Sequence, residues 1–359
     1  MLGNVTGYAY LSPMVRGRKS FLLVKGDYDA MLTAENPATA LRRLEETRYK
    51  PYISQLVLEE FDLPKVEKAL LAAYQDDVAF IQRNIKVGTA KTFFEEFSRY
   101  LELKALMEAI KSILMEVPWR EVSTYIFPFG KIDYELCRSL VETGNLKRAV
   151  ELLKDRKLMV EISEILEGAE EATVKSLKVE AAIIKYGYGR MLEASLNLKG
   201  LDKTCVKLSG IQLDLINLMT VLRMKKLGFT PEKIMEGVIP AYYKLGLEDL
   251  KAAASTASEK DAVKAFTGSP YGAILSPLIS VYEVKEDLFL FEIALKRMHA
   301  SECMKAFYSI FHLGEMLAYL YLKLYEVKDL IAILAAKTMK IPADQIEPNL
   351  VLHQPIYPV

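Results

Sequence analysis

Leu101-Glu102-Leu103-Lys104-Ala105-Leu106-Met107 and Leu213-Asp214-Leu215-Ile216-Asn217-Leu218-Met219 share the pattern Leu-x-Leu-x-x-Leu-Met at an offset of 112 residues (213 minus 101). A further step of 112 lands on Tyr325, Val327, Leu330 and Ile331, an apolar but diverged copy. Apolar residues at three- and four-residue spacing line one face of a helix. A long period that recurs three times marks stacked or pseudo-symmetric units. The chain therefore reads as all-α, with three pseudo-equivalent helical-bundle modules. They are placed at residues 1–128 (with an N-terminal leader), 129–240 and 241–359.

The echo continues outward. Asn217-Leu218-Met219-Thr220-Val221-Leu222-Arg223-Met224-Lys225 lies on Asp329-Leu330-Ile331-Ala332-Ile333-Leu334-Ala335-Ala336-Lys337. Past the turn, Phe229 meets Ile341 and Ile234 meets Ile346 without a gap. In the other direction Ile234 meets Val122 and Pro240 meets Pro128. A second echo lays Leu44-Glu45-Glu46-Thr47-Arg48-Tyr49 on Phe266-Thr267-Gly268-Ser269-Pro270-Tyr271, at an offset of 222 (271 minus 49). Its middle copy, Ala149-Val150 followed by Leu153 and Leu158, has lost the hydroxyl and the Tyr. Any two amphipathic helices align at some register. A gapless run through a turn, with a second echo at a compatible offset, is a stronger signal.

Helical periodicity fills most of the chain: Ala38–Tyr49, Lys65–Ile85, Ala90–Met115, Asp133–Lys154, Gln212–Leu227, Glu283–Phe311 and Leu313–Ala336. The nearest approach to strand alternation is Thr6–Leu11, too short to build a sheet. Gly228 is a helix stop, and Thr230-Pro231 reads as an N-cap followed by Pro at the first helical position. The third copy keeps the proline, Pro342, without the Thr.

Composition excludes several classes of function. The chain has 359 residues, 51% of them apolar, enough for a sizeable core. Lys plus Arg equals Asp plus Glu at 47 each, which gives no support for a nucleic-acid surface or a polybasic membrane patch. Cys137, Cys205 and Cys303 are far apart and read as small buried apolar residues in a reducing compartment. Gly3-Asn4-Val5-Thr6-Gly7 is no signal-peptide core. The longest uncharged stretch, Ala265–Tyr282, carries Pro270 and Pro277 and makes a poor spanning helix.

No reaction centre stands out. His299, His312 and His353 are the only histidines. His299/Glu302 and His312/Glu315 reverse the Glu-then-His order of di-metal bundles, so they read as surface or core-edge residues. Gly17-Arg18-Lys19-Ser20 lacks the leading glycine of a phosphate loop, and Gly187-Tyr188-Gly189 lacks a third glycine. Both read as a turn or a basic helix end. Clusters such as Tyr186/Tyr188, Tyr242/Tyr243 and Phe307/Tyr308/Phe311 suit core packing and protein contact rather than base stacking. No cofactor or metal site is expected.

The N-terminus is the most distinctive stretch: Tyr8-Ala9-Tyr10-Leu11, then Arg16 and Arg18, Leu22-Leu23, and the run Leu44-x-x-Thr47-x-Tyr49. With Leu218-x-x-x-Leu222-x-x-Lys225-Lys226-x-Gly228, Gly268-Ser269-Pro270-Tyr271 and Lys337-x-x-x-Ile341-Pro342-x-x-x-Ile346, it resembles the C subunits of A-type and V-type ATP synthases, whose counterpart in vacuolar ATPases is the d subunit. The resemblance spans nearly the whole chain; its motifs are diffuse, and their order and spacing carry it. It implies three similar helical bundles arranged as a funnel. The funnel would be a non-catalytic central-stalk component that couples the axle of the soluble ATP-converting head to the membrane rotor ring, in ATP synthesis or ATP-driven ion transport. Implied partners are the central-axle subunits and the proteolipid ring, with no nucleic acid and no membrane span of its own. The implied location is peripheral, on the cytoplasmic side of the membrane. Arg16, Arg18, Lys225 and Lys337 are the candidate partner contacts. The chain departs from the family's Asn-Leu-Arg helices at Ala105-Leu106-Met107 and Asp329-Leu330-Ile331, with Ala335 where Arg223 stands in the second copy. The alternative is a helical-repeat adaptor unrelated to ATPases, although such repeats have a period near ~34 residues rather than 112.

Overall fold

The computed structural model describes residues 6–123 and 126–354, so Gly3, Asn4 and Val5 of the opening stretch lie outside the described residues. Among them the chain is all-helical, with a lone bridge between Phe129 and Ile132. Seven helices carry the architecture: α1 (Leu11–Lys19), α2 (Leu63–Asn84), α3 (Gly88–Leu114), α4 (Ala172–Ser195), α5 (Thr204–Lys226), α6 (Phe289–Lys305) and α7 (Leu313–Thr338). Short helices fill the connections.

Local chemistry explains the boundaries. The Asp62 carboxylate caps α2 at the Lys65 N–H, with Pro64 in the first turn. The buried face of α2 then runs Val66, Leu70, Tyr74, Val78, Ile81, at helical spacing. The helix α7 is buried on nearly every side, so its charged residues Glu315, Lys323, Glu326 and Asp329 each need a partner.

The sequence echo is a structural one at the level of single turns. The repeated apolar positions Leu103/Leu215/Val327 and Leu106/Leu218/Leu330 are all buried. Helices α3, α5 and α7 end alike. Glu116, Gly228 and Lys340 have φ of 54°, 77° and 57°. The next N–H, from Val117, Phe229 or Ile341, donates back to the carbonyl of Ser112, Met224 or Ala336 at 3.0, 3.1 and 2.9 Å. This is a helix C-cap that closes on a left-handed residue. Short helices follow at Trp119–Val122, Pro231–Gly237 and Ala343–Ile346. The caps and the first residues of the short helices are each 112 residues from their counterparts.

Carboxylates that bind backbone also recur at that spacing. Glu102 accepts from Lys131 N–H at 3.0 Å, and Asp214 from the N–H groups of Tyr243, Lys244 and Leu245 at 2.8–3.1 Å. Glu326 accepts from Leu23 N–H at 2.5 Å and Lys323 Nζ at 2.8 Å. Tyr271 Oη donates to Asp214 at 2.7 Å and Tyr49 Oη to Glu326 at 2.8 Å. Both tyrosines follow a hydroxyl turn, Ser269 or Thr47, that accepts from the tyrosine N–H at 3.2 or 3.1 Å. The start of the chain thus supplies α7 with the same bond that residues near 271 supply to α5.

Several expectations need correction. Thr6–Tyr8 is helical, not strand-like. Asp133–Lys154 breaks at Gly144 (φ 64°), and Glu283–Phe311 breaks at Glu286 (φ 52°), so each is two helices. Ala38–Tyr49 is a short helix, Pro37–Arg42, that tightens into a 3₁₀ turn. Periodicity did not reveal α4 or the helix Arg156–Glu167, α4 because Gly187 and Gly189 interrupt its pattern. Gly187 is mid-helix, not a turn, and a Cβ there would lie 2.7 Å from Tyr100 Cδ2. Thr230 stands at the N-cap position, but its hydroxyl makes no capping bond. The histidines are buried, not on the surface, at 0%, 1% and 1% exposure for His299, His312 and His353. The three cysteines are free and buried. One helical stretch, Gly200–Lys226, is long and apolar enough to cross a membrane; 72% of its most apolar window is buried in the protein.

Candidate functional site

The repeated helices converge. α3, α5 and α7, joined by α4 and α6, line a cavity of ≈ 270 Å³. The helix α4 lies along α3, and the missing side chain of Gly187 lets the two come close. Equivalent positions of the repeat face the same space: Leu101 with Tyr325, Met107 with Met219, and Lys104, Ile216 and Lys328.

Seven of the 22 lining residues are charged. Lys104, Lys296, Lys328 and Arg223 meet Glu108, Glu180 and Glu292. Lys111 Nζ pairs with Glu180 at 2.5 Å and Glu108 at 3.5 Å. Lys296 pairs with Glu292 at 2.5 Å, and Arg223 bonds the same carboxylate. Burial alone would lift the Glu292 carboxyl, but Lys296 and Arg223 outweigh it and hold it below the ordinary range. Lys104 and Lys328 have no carboxylate at ion-pair distance among the described residues; each lies near a ring, Tyr100 at 5.8 Å and Phe127 at 5.9 Å. Lys328 lines the cavity and is itself exposed, whereas Lys104 is half-buried. Desolvation, then Lys104 and Lys296, push Lys328 down to about 7. Burial lowers Lys104 as well.

Behind this wall lies a neutral buried network. His299 is held down at about 4 by burial, so its ring is uncharged. Its Nε2 faces the Leu208 carbonyl at 3.1 Å, which makes Nε2 the donor and Nδ1 the acceptor. Nδ1 then takes the Tyr325 hydroxyl at 2.9 Å and the Gln212 amide at 2.8 Å. The network fixes α5, α6 and α7 to one another. Among the described residues no cluster of three or more His, Cys, Asp or Glu has the geometry of a metal site.

The four cations singled out in the sequence are not gathered at this cavity. Each is engaged within the chain. Arg16 Nε bonds Glu315 at 2.5 Å, and its NH2 reaches the Phe307 and Ser309 carbonyls. Arg18 pairs with Asp77 and stacks 3.9 Å over the Phe80 ring. Lys225 Nζ donates to Ala254 O at 2.9 Å, at the end of the helix Leu247–Ala254. Lys337 Nζ donates to Leu32 O at 2.6 Å, at the end of the helix Lys25–Leu32. Lys225 and Lys337 therefore do one job at equivalent positions: each cation binds the terminal carbonyls of a short helix. Sequence reasoning missed Lys104 and Lys328. Their separation of twice 112 (328 minus 104 is 224) was the available signal.

A family profile described as ATP synthase (C/AC39) subunit matches residues 11–348. The chain belongs to this family. It is 23% identical to the C subunit of the A-type ATP synthase of Methanocaldococcus jannaschii over 353 residues, covering 98% of this chain and 88% of that one. It is also 23% identical to the corresponding C subunit of Archaeoglobus fulgidus, covering 98% of both chains. The C subunit of Desulfurococcus sp. is 24% identical over 82% of this chain and 77% of its own length. The family match runs from the first residue of α1 to the turn beyond α7, so it takes in all three repeated helices that line the cavity.

Proposed function

We propose that this chain is a non-catalytic central-stalk subunit of a rotary A/V-type ATPase, a socket between the axle of the soluble head and the membrane rotor ring. The observation that carries the reading is the convergence of α3, α5 and α7 on one cavity with a charged, partly apolar wall. A rotor coupling must transmit torque through packed, rigid contacts, and a cavity ringed by long, deeply buried helices is stiff. The proposal takes the modules as residues 1–128, 129–240 and 241–359, with the N-terminal leader folded back onto the third, and a funnel-like body around the cavity. The protein would sit at the cytoplasmic face, peripheral to the membrane.

A separate end of the molecule suits the ring. Tyr8 Oη and Leu313 N–H both bond Asp202, and Ser12 Oγ bonds Glu315, so α1, the turn before α5 and the start of α7 lie together. There Tyr10, Met14, Leu201, Tyr308 and Ile310 are 41–73% exposed, beside Arg16 and Lys19. This apolar and basic end is about 18 Å along α7 from Tyr325, at 1.5 Å per residue. Arg16, whose side chain is 32% exposed, is the candidate cation best placed to reach a partner from it.

The test is affinity purification of the tagged chain from its native membranes. Head-axle and ring subunits are expected to co-purify. Recovery of unrelated proteins and none of those subunits would overturn the proposal in favour of a helical adaptor.

A further inference from the structure

We infer that Lys104 and Lys328, with Lys296 beside them, form a receptor for carboxylates carried by the tip of the axle segment that enters the cavity. The inference rests on the socket reading above and names the chemistry that the socket selects. Two observations support it. The acidic groups of the wall are already paired: Glu292 with Lys296 and Arg223, Glu180 and Glu108 with Lys111. Lys104 and Lys328 are the cations left over, on different helices at the same position of the repeat, facing one space. An arriving carboxylate would relieve their mutual repulsion, whereas an arriving cation would add to it.

Shape decides between occupants. A cavity of ≈ 270 Å³ is roughly nine waters' worth of space, enough for a few side chains or a chain end, not for a whole coiled coil. Leu101, Met107, Leu215 and Met219 give the wall apolar surface for an amphipathic tip. A free phosphate is a poorer match. The lysines project from helix interiors, where backbone N–H groups are used within the helix, so no nest of backbone donors converges on the space.

The test uses the full chain and the purified axle subunits of the same complex. Carbodiimide, which joins a carboxylate directly to an amine, is expected to cross-link Lys104 or Lys328 to an Asp, a Glu or the terminal carboxylate of the axle. The double variant Lys104→Met with Lys328→Met is expected to bind the axle at least about tenfold more weakly and with a flatter salt dependence. Its melting temperature should not fall, because the substitution removes two cations that repel each other across the cavity and breaks no ion pair; this separates lost binding from lost folding. Axle binding by the wild type with no such cross-link, and an unchanged affinity in the variant, would overturn this inference and leave the socket reading standing. Failure of the wild type to bind the axle would overturn the socket reading itself. Displacement of the axle by millimolar inorganic phosphate would show that the lysines select a small anion, and would overturn the assignment to a protein carboxylate.

Discussion

Glu67 is 1% exposed on α2, with Asp62 and Ser123 nearby. Burial, with Asp62 adding to it, lifts its carboxyl from 4.5 to about 7, and neither carboxyl oxygen has a hydrogen-bond partner among the described residues. Below pH 4.5 the group is protonated whether the chain is folded or not. Between 4.5 and 7 the unfolded chain loses the proton and the folded one keeps it, so stability falls across that window and is level above it. Glu67→Gln removes the penalty. At pH 8 it is expected to gain up to roughly 3 kcal/mol in denaturant unfolding, and the gain should vanish toward pH 4.5. A pH-independent difference would show that the carboxyl is not held protonated. Asp329, which burial also pushes up to about 7, differs in that it accepts backbone donors at a repeated position. Where Asn217 uses its amide on Ile239, Asp329 accepts from the N–H groups of Val351 and Leu352 at 2.9 and 2.7 Å. Asp329 at the position equivalent to Asn217 therefore keeps the polar link to the segment that follows the short helix.

At the scale of elements, two glycines of α4 make a matched experiment. Glycine inside a helix costs about 1 kcal/mol relative to alanine. At exposed Gly189 a Cβ would meet nothing within 4 Å, so Gly189→Ala should stabilise by up to about 1 kcal/mol. At Gly187 the Cβ would strike the Tyr100 ring, and the whole of α4 would have to move off α3. Overpacking outweighs propensity there, and Gly187→Ala should destabilise by about 1–3 kcal/mol. Thermal melts of the two variants check the pair; equal shifts would mean that α3 and α4 are not in this close register. The three C-caps make a second test. Only Gly228 has the residue that a left-handed φ favours, while Glu116 and Lys340 carry a Cβ that strains it. Glu116→Gly and Lys340→Gly should each gain about 1 kcal/mol, and Gly228→Ala should lose a similar amount. Loss of stability in all three would contradict the shared cap.

Over the whole molecule, the beginning of the chain is bound to its end. A single apolar core runs from Tyr8 to Val351, and a second, smaller one holds residues between Ile211 and Leu295. Tyr49 and Leu23 on Glu326, Ser12 and Arg16 on Glu315, Tyr319 on Asp77 and Lys337 on Leu32 form a polar seam along α7. The expected consequence is cooperative opening. In hydrogen exchange, amides of the helix Lys25–Leu32 should be protected together with those of α7, while the short helices between Leu247 and Lys285 open as a separate unit of lower stability. Faster exchange in Lys25–Leu32 than in the Leu247–Lys285 unit would show that the seam does not hold the N-terminal segment.

What the sequence by itself determined is whatever repeats along it. Helix type and the 112-residue period follow from apolar spacing and from turn residues, which act locally; the match of Phe229 to Ile341 and of Ile234 to Ile346 could be read from letters alone. Family membership is legible for the same reason, since a diffuse motif set in fixed order survives where single motifs are weak. The breaks at Gly144 and Glu286, the burial of the histidines and the intramolecular partners of Arg16, Arg18, Lys225 and Lys337 were decided only by the tertiary structure. So was the meeting of Lys104 with Lys328 across one cavity. A cation's role depends on which carboxylate or carbonyl comes within ~4 Å of it in space, and pairs hundreds of residues apart are joined by packing rather than by any local signal.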